Sequence, residues 1–493
     1  MNIGFKSMTC SEVDALVVYL LEKKISTPNE ELNKFIKALE ERELFLGKKG
    51  ELYSFTREKD SKLQTVILIG LGKEEELTLE ELRTASGKGV KKCKELKLSS
   101  ITLRIPDTEK IEKAEMAKAV VYGAKLANYK FDKYKTSKKE EKELNVSIGA
   151  HGVDDSVKKE IISAIEEGIT IADGVIIARD LVNEPSNVIY PETLANEAVS
   201  VGAESGFQVE VYDVEKIKDL KMEAFYNVAK AAEKEPKFIV MRYFGDKDNK
   251  DNILGLVGKG LTYDSGGYSI KPTGSMVDMK SDMGGAASVI GAMSVIAKRK
   301  LKTNVVAVVA ACENLIAGNA YKPGEIIGSM AGKTIEVVNT DAEGRLTLVD
   351  AVHYIIEKEN AKEIIDVATL TGAALVALGE TTTAILTNNQ GFYNELKVAS
   401  DYTGEKIWQL PAFEEYRKLI KSDIADLKNS GGRFAGTITA GLFIEEFVQN
   451  KPWLHLDIAG TSWASANSDY CIKGATGAPV STLYQLVKNR EDK

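Results

Sequence analysis

Lys333-Thr334-Ile335-Glu336-Val337-Val338-Asn339-Thr340-Asp341-Ala342-Glu343-Gly344-Arg345-Leu346 is the stretch from which the fold is read. Thr334 to Asn339 alternates and is rich in β-branched residues, which predicts a strand. Gly344 permits a sharp turn, and Leu346 to Ile356 carries apolar residues at helical spacing. Asp341 and Glu343 are two apart, so at the end of an extended segment their side chains point the same way. The two acids and Arg345 then stand at a strand-to-helix junction, where open α/β sheets place their sites. The bland alternative for a D-x-E-x-R string is a solvated loop with a local ion pair.

A second segment adds weight to the first. Val257-Gly258-Lys259-Gly260-Leu261-Thr262-Tyr263-Asp264-Ser265-Gly266-Gly267-Tyr268-Ser269-Ile270-Lys271-Pro272 follows a short apolar strand and sets two lysines and an acid among four glycines. Glycine lets a backbone approach a ligand closely. Met279-Lys280-Ser281-Asp282-Met283-Gly284-Gly285-Ala286-Ala287 then places another acid at the start of a small-residue helix running to about Ala297. Taken alone, Asp282 reads as an acid favoured by the helix dipole.

With these segments in view, the chain resembles the leucyl aminopeptidase (cytosol aminopeptidase) family of dinuclear metallo-exopeptidases. The resemblance extends through Gly318-Asn319-Ala320-Tyr321-Lys322-Pro323-Gly324, Ala368-Thr369-Leu370-Thr371-Gly372-Ala373, His455-Leu456-Asp457-Ile458-Ala459-Gly460-Thr461 and Lys473-Gly474-Ala475-Thr476-Gly477. It covers about Asp180 to Leu486, in the family's order and with similar spacing. The resemblance implies that Asp264 and Glu343 bridge two divalent ions, that Lys259 and Asp282 complete one site, and that Asp341 completes the other. It implies that Lys271 polarises the substrate carbonyl and that Arg345 holds a bicarbonate ion acting as base. Met279, Thr369, Gly372 and Ala459 match positions lining the pocket for the first side chain. The family's assembly, a hexamer of two stacked trimers, is implied in the same way. Tyr263, Tyr268 and Leu315-Ile316-Ala317 depart from the usual residues, which bears on side-chain preference and removes no ligand.

The chemistry of these residues agrees with such roles. Oxygen ligands suit Mg²⁺ and Mn²⁺ and also accept Zn²⁺. The chain has only three histidines, His151, His353 and His455, so a histidine-built zinc site is not expected. Two dications about 3.5–4 Å apart acidify water and clamp a tetrahedral state, so peptide hydrolysis needs no protein nucleophile. Lys259 is an odd ligand, because an ammonium has no lone pair and a dication must displace its proton.

Two motifs are decoys. Gly328-Ser329-Met330-Ala331-Gly332-Lys333-Thr334 has three residues between its glycines where a phosphate loop has four, with Ile327 at the required glycine position, and reads as a turn. Gly70-Leu71-Gly72 suggests a dinucleotide fingerprint, but Glu74-Glu75-Glu76 stand where helix amides would face pyrophosphate. That stretch reads as a strand end and an acidic helix start.

At 493 residues the chain is long enough for two domains. Ala15–Leu21, Leu63–Ile69, Ile101–Ile105 and Leu144–Ile148 read as strands between helices near Glu30–Arg42, Leu79–Lys94 and Glu109–Lys125. These predict a small N-terminal α/β domain over residues 1–155. A linker helix across 156–182 leads to a catalytic domain over 183–493. There, strands near Gln208–Tyr212, Lys237–Tyr243, Ile253–Val257, Thr303–Ala310, Thr334–Asn339, Glu363–Ala368 and Trp453–Asp457 alternate with helices, predicting a mainly parallel, helix-covered α/β sheet.

Cys10, Cys93, Cys312 and Cys471 are scattered and read as free thiols in a reducing compartment. No apolar run approaches the ~18 residues of a membrane span, and the expected location is the cytoplasm. The lysine-glutamate run Lys138–Lys142 reads as a solvated face. A net charge of −8 without a basic cluster argues against nucleic-acid binding, the rival reading from another class. A two-metal phosphoesterase is the second rival. The expectation is a metal-dependent aminopeptidase acting on peptides, favouring leucine and other apolar N-terminal residues, with Mn²⁺ or Zn²⁺ (or Mg²⁺) as its metals.

Overall fold

The computed structural model describes residues 1–7, 13–24, 27–137 and 142–491. Cys10 and most of the 138–142 charge run lie outside the described residues. The chain forms two compact units, one of Met1–Ala172 with Ala466–Ile472 and one of Asp173–Ser465 with Lys473–Lys493. The division falls inside a single helix, Asp155–Asn183.

The first unit is built on a six-stranded sheet in the order Asn2–Ser7, Asn145–Ala150, Ser100–Arg104, Ala15–Leu21, Lys62–Gly72, Leu52–Lys59. All neighbours pair in parallel except the last strand, which closes an antiparallel hairpin. Along Ala15–Leu21 the alternation buries both faces. Val17 and Tyr19 join the core under helices Leu79–Glu95 and Lys113–Asn128. Val18 and Leu20 join the core under helix Glu30–Glu41. Each face thus has its own helix layer, as a parallel sheet requires. Asn29 and Thr78 cap two of these helices, the latter in a reciprocal box with Glu81. Gly70-Leu71-Gly72 does end a strand, and a 3₁₀ turn of Glu74–Glu76 follows.

The second unit carries an eight-stranded sheet. Its order is Lys406–Gln409, Thr382–Thr387, Trp453–Asp457, Glu363–Ala368, Ile253–Asp264, Asn304–Asn314, Lys237–Phe244, Gln208–Tyr212. The four central strands, Trp453–Asp457 to Asn304–Asn314, are mutually parallel, and antiparallel pairs flank them on both sides. The fold is therefore α/β with a mainly parallel core. Two strands run further than their apolar cores predict: Ile253–Asp264 and Asn304–Asn314 continue into polar residues at their C-terminal ends.

Helix Gly284–Lys298 is buried throughout Gly284–Ala297, because its small residues let it lie directly on the sheet. A Cβ built on Gly285 would fall 2.0 Å from the Val367 carbonyl oxygen, so only glycine fits there. Helix Glu343–Glu357 joins a different core, in which Leu346, Val349 and Val352 pack with Val257 and Leu261 of the sheet.

The deciding stretch differs from its sequence reading. Only Ile335–Glu336 forms a ladder, and it belongs to a small three-stranded sheet with Ile326–Ile327 and Leu427–Lys428, outside the main sheet. Past it, Val337 N–H still donates to the Glu325 carbonyl at 2.9 Å, but the chain bends at Val338, and the Val338 and Asn339 N–H groups both donate to Asn429 Oδ1. The strand expected over Thr334–Asn339 is thus confined to two residues, because alternation marks a strand but not where its pairing ends.

Candidate metal centre

The carboxyl ends of the parallel strands supply one wall of the site. Asp264 ends Ile253–Asp264, Asn314 ends Asn304–Asn314, Thr369 follows Glu363–Ala368 and Asp457 ends Trp453–Asp457. This is the edge at which open α/β sheets bind ligands.

Asp341 and Glu343 meet the strand ends from a turn and a helix start rather than from a strand. Asp341 N–H donates to Asn339 Oδ1, which folds the backbone back, and Glu343 is the first residue of helix Glu343–Glu357. One carboxylate oxygen from each of Asp264, Asp341 and Glu343 lies within 4.8 Å of the others. Asp282 sits in the 3₁₀ turn Met279–Met283 and makes no cap to the helix that follows. Its Oδ1 instead accepts from Lys259 Nζ at 2.8 Å and from Thr369 Oγ1 at 2.7 Å.

Two lysines reach into the cluster. Lys259 Nζ is 3.0 Å from Glu343 Oε1 and donates to the Thr369 carbonyl at 2.8 Å. A Cβ on Gly344 would lie 2.7 Å from that ammonium, so the helix start must be bare for the lysine to pass. Lys271 Nζ is 2.8 Å from Asp264 Oδ2 and 2.5 Å from Asp341 Oδ1. Burial lowers the pKa of both ammonium groups, but the surrounding acids outweigh it and hold both above the ordinary lysine value. The acids also shift upward. Burial, reinforced by the neighbouring Asp264 charge, pushes Glu343, Asp282 and Asp341 up.

Buried oxygens without partners are the observation that bears on a metal. Asp282 Oδ2 and Glu343 Oε2 are buried and accept no hydrogen bond, and Asp341 Oδ1 has only its ion pair with Lys271. Such orphans are costly unless a cation meets them. Four carboxylates and an amine form a donor set that fits hard or borderline divalent ions. Arg345 is also buried: one of its terminal nitrogens donates to the Asn429 carbonyl at 2.8 Å, and its Nε has no partner. Burial pulls its pKa down to about 10. A buried guanidinium with a free donor fits an anion such as bicarbonate.

Of the positions matched to a side-chain pocket, Thr369 shares hydrogen bonds with the cluster. Thr369 is tied to Asp282, three residues after the half-buried Met279. Asp457 Oδ1 accepts from the backbone of Leu370, Thr371 and Ala459, and its Oδ2 from the Thr371 hydroxyl. Gly372 opens the short helix Gly372–Leu378. Sequence reading passed over Asn314, Thr340, Asn429 and Asp457, which bind the site's segments to one another. Asn314 and Asp457 carried one signal, a polar residue closing an otherwise apolar strand; Asn429 carried none.

Comparison with known proteins places this arrangement. Residues 176–484 match the catalytic domain of the cytosol aminopeptidase family, and residues 17–138 match its N-terminal domain. The chain belongs to the cytosol aminopeptidase family. It is 58% identical over 489 residues to the probable cytosol aminopeptidase of Clostridium perfringens (strain 13 / Type A), with 99% of each chain covered. Against the probable cytosol aminopeptidase of Clostridium tetani (strain Massachusetts / E88), identity is 48% over 484 residues and 98% of each chain. Among solved structures, a mutant of tomato leucine aminopeptidase superposes with a TM-score of 0.88 at 33% identity, covering 99% of this chain and 97% of that one. The bottromycin maturation enzyme BotP in complex with Mn gives a TM-score of 0.85 at 29% identity over 97% of this chain and 100% of that one. Family membership and the leucine aminopeptidase fold support aminopeptidase activity. Among the described residues, no helix is long and apolar enough to cross a membrane.

Proposed function

We propose that the chain is a two-metal aminopeptidase that removes N-terminal residues from peptides, with leucine and other apolar residues preferred. The observation that carries this reading is the convergence of Asp264, Asp341 and Glu343 within 4.8 Å beside buried, unpartnered oxygens of Asp282 and Glu343. Lys259, Asp264, Asp282, Asp341 and Glu343 would hold two divalent ions, Mn²⁺ or Zn²⁺, with Mg²⁺ also accommodated by oxygen ligands. When bound, such a pair acidifies water and polarises a carbonyl.

The protein's own groups supply the rest. Lys259 must give up its proton to act as a ligand, so metal uptake releases protons. Lys271 stands beside Asp264 and Asp341, where its ammonium can donate to the substrate carbonyl oxygen as negative charge develops. Arg345 would hold a bicarbonate ion, which when bound supplies a base. Met279, Thr369, Gly372 and Ala459 would line the pocket for the first side chain. A hexameric assembly follows the family resemblance, and exposed Trp408, Phe413 and Phe434 are the kind of surface such an assembly covers. A cytoplasmic setting is supported by the family's name and by Cys93, Cys312 and Cys471, which are all free thiols.

The test is hydrolysis of a panel of aminoacyl-anilides and phosphoesters by chelated enzyme re-supplied with Mn²⁺, Zn²⁺ or Mg²⁺. Metal-restored release of leucine ahead of charged residues is expected. Turnover of phosphoesters alone, or anilide turnover indifferent to chelation, would overturn the proposal.

A further inference from the structure

Asn314 is fully buried at the end of strand Asn304–Asn314, directly in register with Asp264 on the neighbouring strand. Its Nδ2 donates to Asp264 Oδ1 at 2.8 Å and to the Thr340 carbonyl at 3.0 Å. Both partners are acceptors only, so the amide can face them only through its nitrogen, and the orientation follows from the network. Its main-chain carbonyl accepts from Ser265 N–H at 3.0 Å and from the Ser265 hydroxyl at 2.8 Å. Its Oδ1 is buried without a partner.

We propose that Asn314 is a positioning residue for metal binding: it fixes which oxygen Asp264 presents to the cluster and locks the strand end carrying Asp264 to the segment carrying Asp341. This rests on the two-metal reading above. Asp264 Oδ1 is filled by Asn314 Nδ2 and by Gly266 N–H, both at 2.8 Å, which leaves Oδ2 turned toward Lys271 and the acids. The second Asn314 donor holds the carbonyl of Thr340, the residue before Asp341. Thr340 is itself pinned across the gap: its hydroxyl donates to the Gly266 carbonyl at 2.7 Å, and the Ser269 N–H donates to that hydroxyl at 2.7 Å. Tyr321 adds a hydroxyl donor to the same Thr340 carbonyl at 2.8 Å. Among the described residues, Asn314 touches both a cluster carboxylate and this brace through one side chain. Partners that orient a metal ligand typically contribute 10–100-fold in metal affinity.

The test compares Asn314→Ala and the near-isosteric Asn314→Asp with wild type at pH 8. Chelated proteins are titrated with Mn²⁺, following bound metal, the rise in Tm on metal addition, and kcat and KM for leucyl-anilide. The expected result is a roughly 10–100-fold weaker Mn²⁺ midpoint in both variants, a smaller metal-induced rise in Tm, and kcat largely restored by excess Mn²⁺ with KM little changed. Asp is expected to fare no better than Ala, because a carboxylate would face Asp264 Oδ1 and the Thr340 carbonyl. Loss of metal-free Tm with an unchanged Mn²⁺ midpoint would make Asn314 merely structural and overturn the proposal. Tighter Mn²⁺ binding by Asn314→Asp would also overturn it, by making this position a ligand. A wild type that binds no dication would instead refute the two-metal reading.

Discussion

The Thr369 hydroxyl donates to Asp282 Oδ1 at 2.7 Å, so a residue assigned to the substrate pocket and an acid assigned to the metals share one hydrogen bond. On those assignments, side-chain selection and metal retention are expected to be coupled. Thr369→Val keeps the shape and removes the donor from a buried carboxylate, a change costing about 1.5–3 kcal/mol for a bond to a charged group. The expected outcome is weaker Mn²⁺ binding together with a changed leucyl-to-alanyl anilide ratio. Metal titration and kcat/KM on both substrates check it, and a change in one without the other would uncouple them.

Removing a ligand charge should be more severe. Asp282→Asn and Glu343→Gln are expected to abolish turnover with the fold largely intact, because the dications lose anionic donors and occupancy falls. Circular dichroism and metal analysis on the same samples provide the measurement. Two full metal equivalents in an inactive Glu343→Gln protein would contradict a bridging role for Glu343.

Lys271 and Arg345 should separate kinetically. Loss of one donor to a developing oxyanion costs ~10²–10³ in rate, which is the expectation for kcat of Lys271→Ala. Arg345→Ala is expected to lose less, since water or buffer can replace a borrowed anion. Steady-state kinetics in degassed buffer with and without bicarbonate distinguishes them. A bicarbonate response that survives in Arg345→Ala would remove the role assigned to that residue.

A buried ion pair beneath the site gives a pH signature. His455 Nδ1 lies 2.6 Å from Asp366 Oδ1, and Trp453 Nε1 donates to Asp366 Oδ2 at 2.7 Å. Burial lowers the His455 pKa, but the Asp366 carboxylate outweighs it and the net shift is upward. A raised histidine pKa stabilises the fold fully below the unfolded value of about 6.5 and loses that contribution as pH rises through the folded value. Asp366→Asn should therefore lower Tm most at pH 6, by the equivalent of about 3–5 kcal/mol for a broken buried pair, and by less at pH 9. A Tm gap that widens with pH would reverse the assignment of charge to His455.

The sequence was most legible where chemistry and periodicity coincide. Apolar runs such as Glu363–Ala368 and Trp453–Asp457 form the strands expected of them. Leu52–Lys59 was missed because an edge strand alternates among charged residues, and Asn2–Ser7 because it lies on the opposite edge with Asn2, Gly4 and Lys6 interrupting its apolar positions. The acids Asp341 and Glu343 were recognisable as a pair, but their convergence comes from a turn held by Asn339 and a helix start. Asn429 was invisible for a different reason. Its Oδ1 takes two backbone donors, its Nδ2 returns to the Asn339 carbonyl, and its own carbonyl receives Arg345. An asparagine ninety residues away in a polar loop announces none of this, because its partners are main-chain groups that leave no pattern in the sequence.

The bare backbone at Gly285 has a mechanical meaning. With the Val367 carbonyl only 2.0 Å from where a Cβ would stand, the gap between helix and sheet is as thin as it can be made. A single methyl there would act as a shim. It would lift the leading edge of the helix, and Asp282, three residues upstream, would ride with it away from an ammonium whose stem is anchored in the strand below. The position of Asp282 in the cluster is then tied to the thickness of a missing side chain, at a position that contributes no charge.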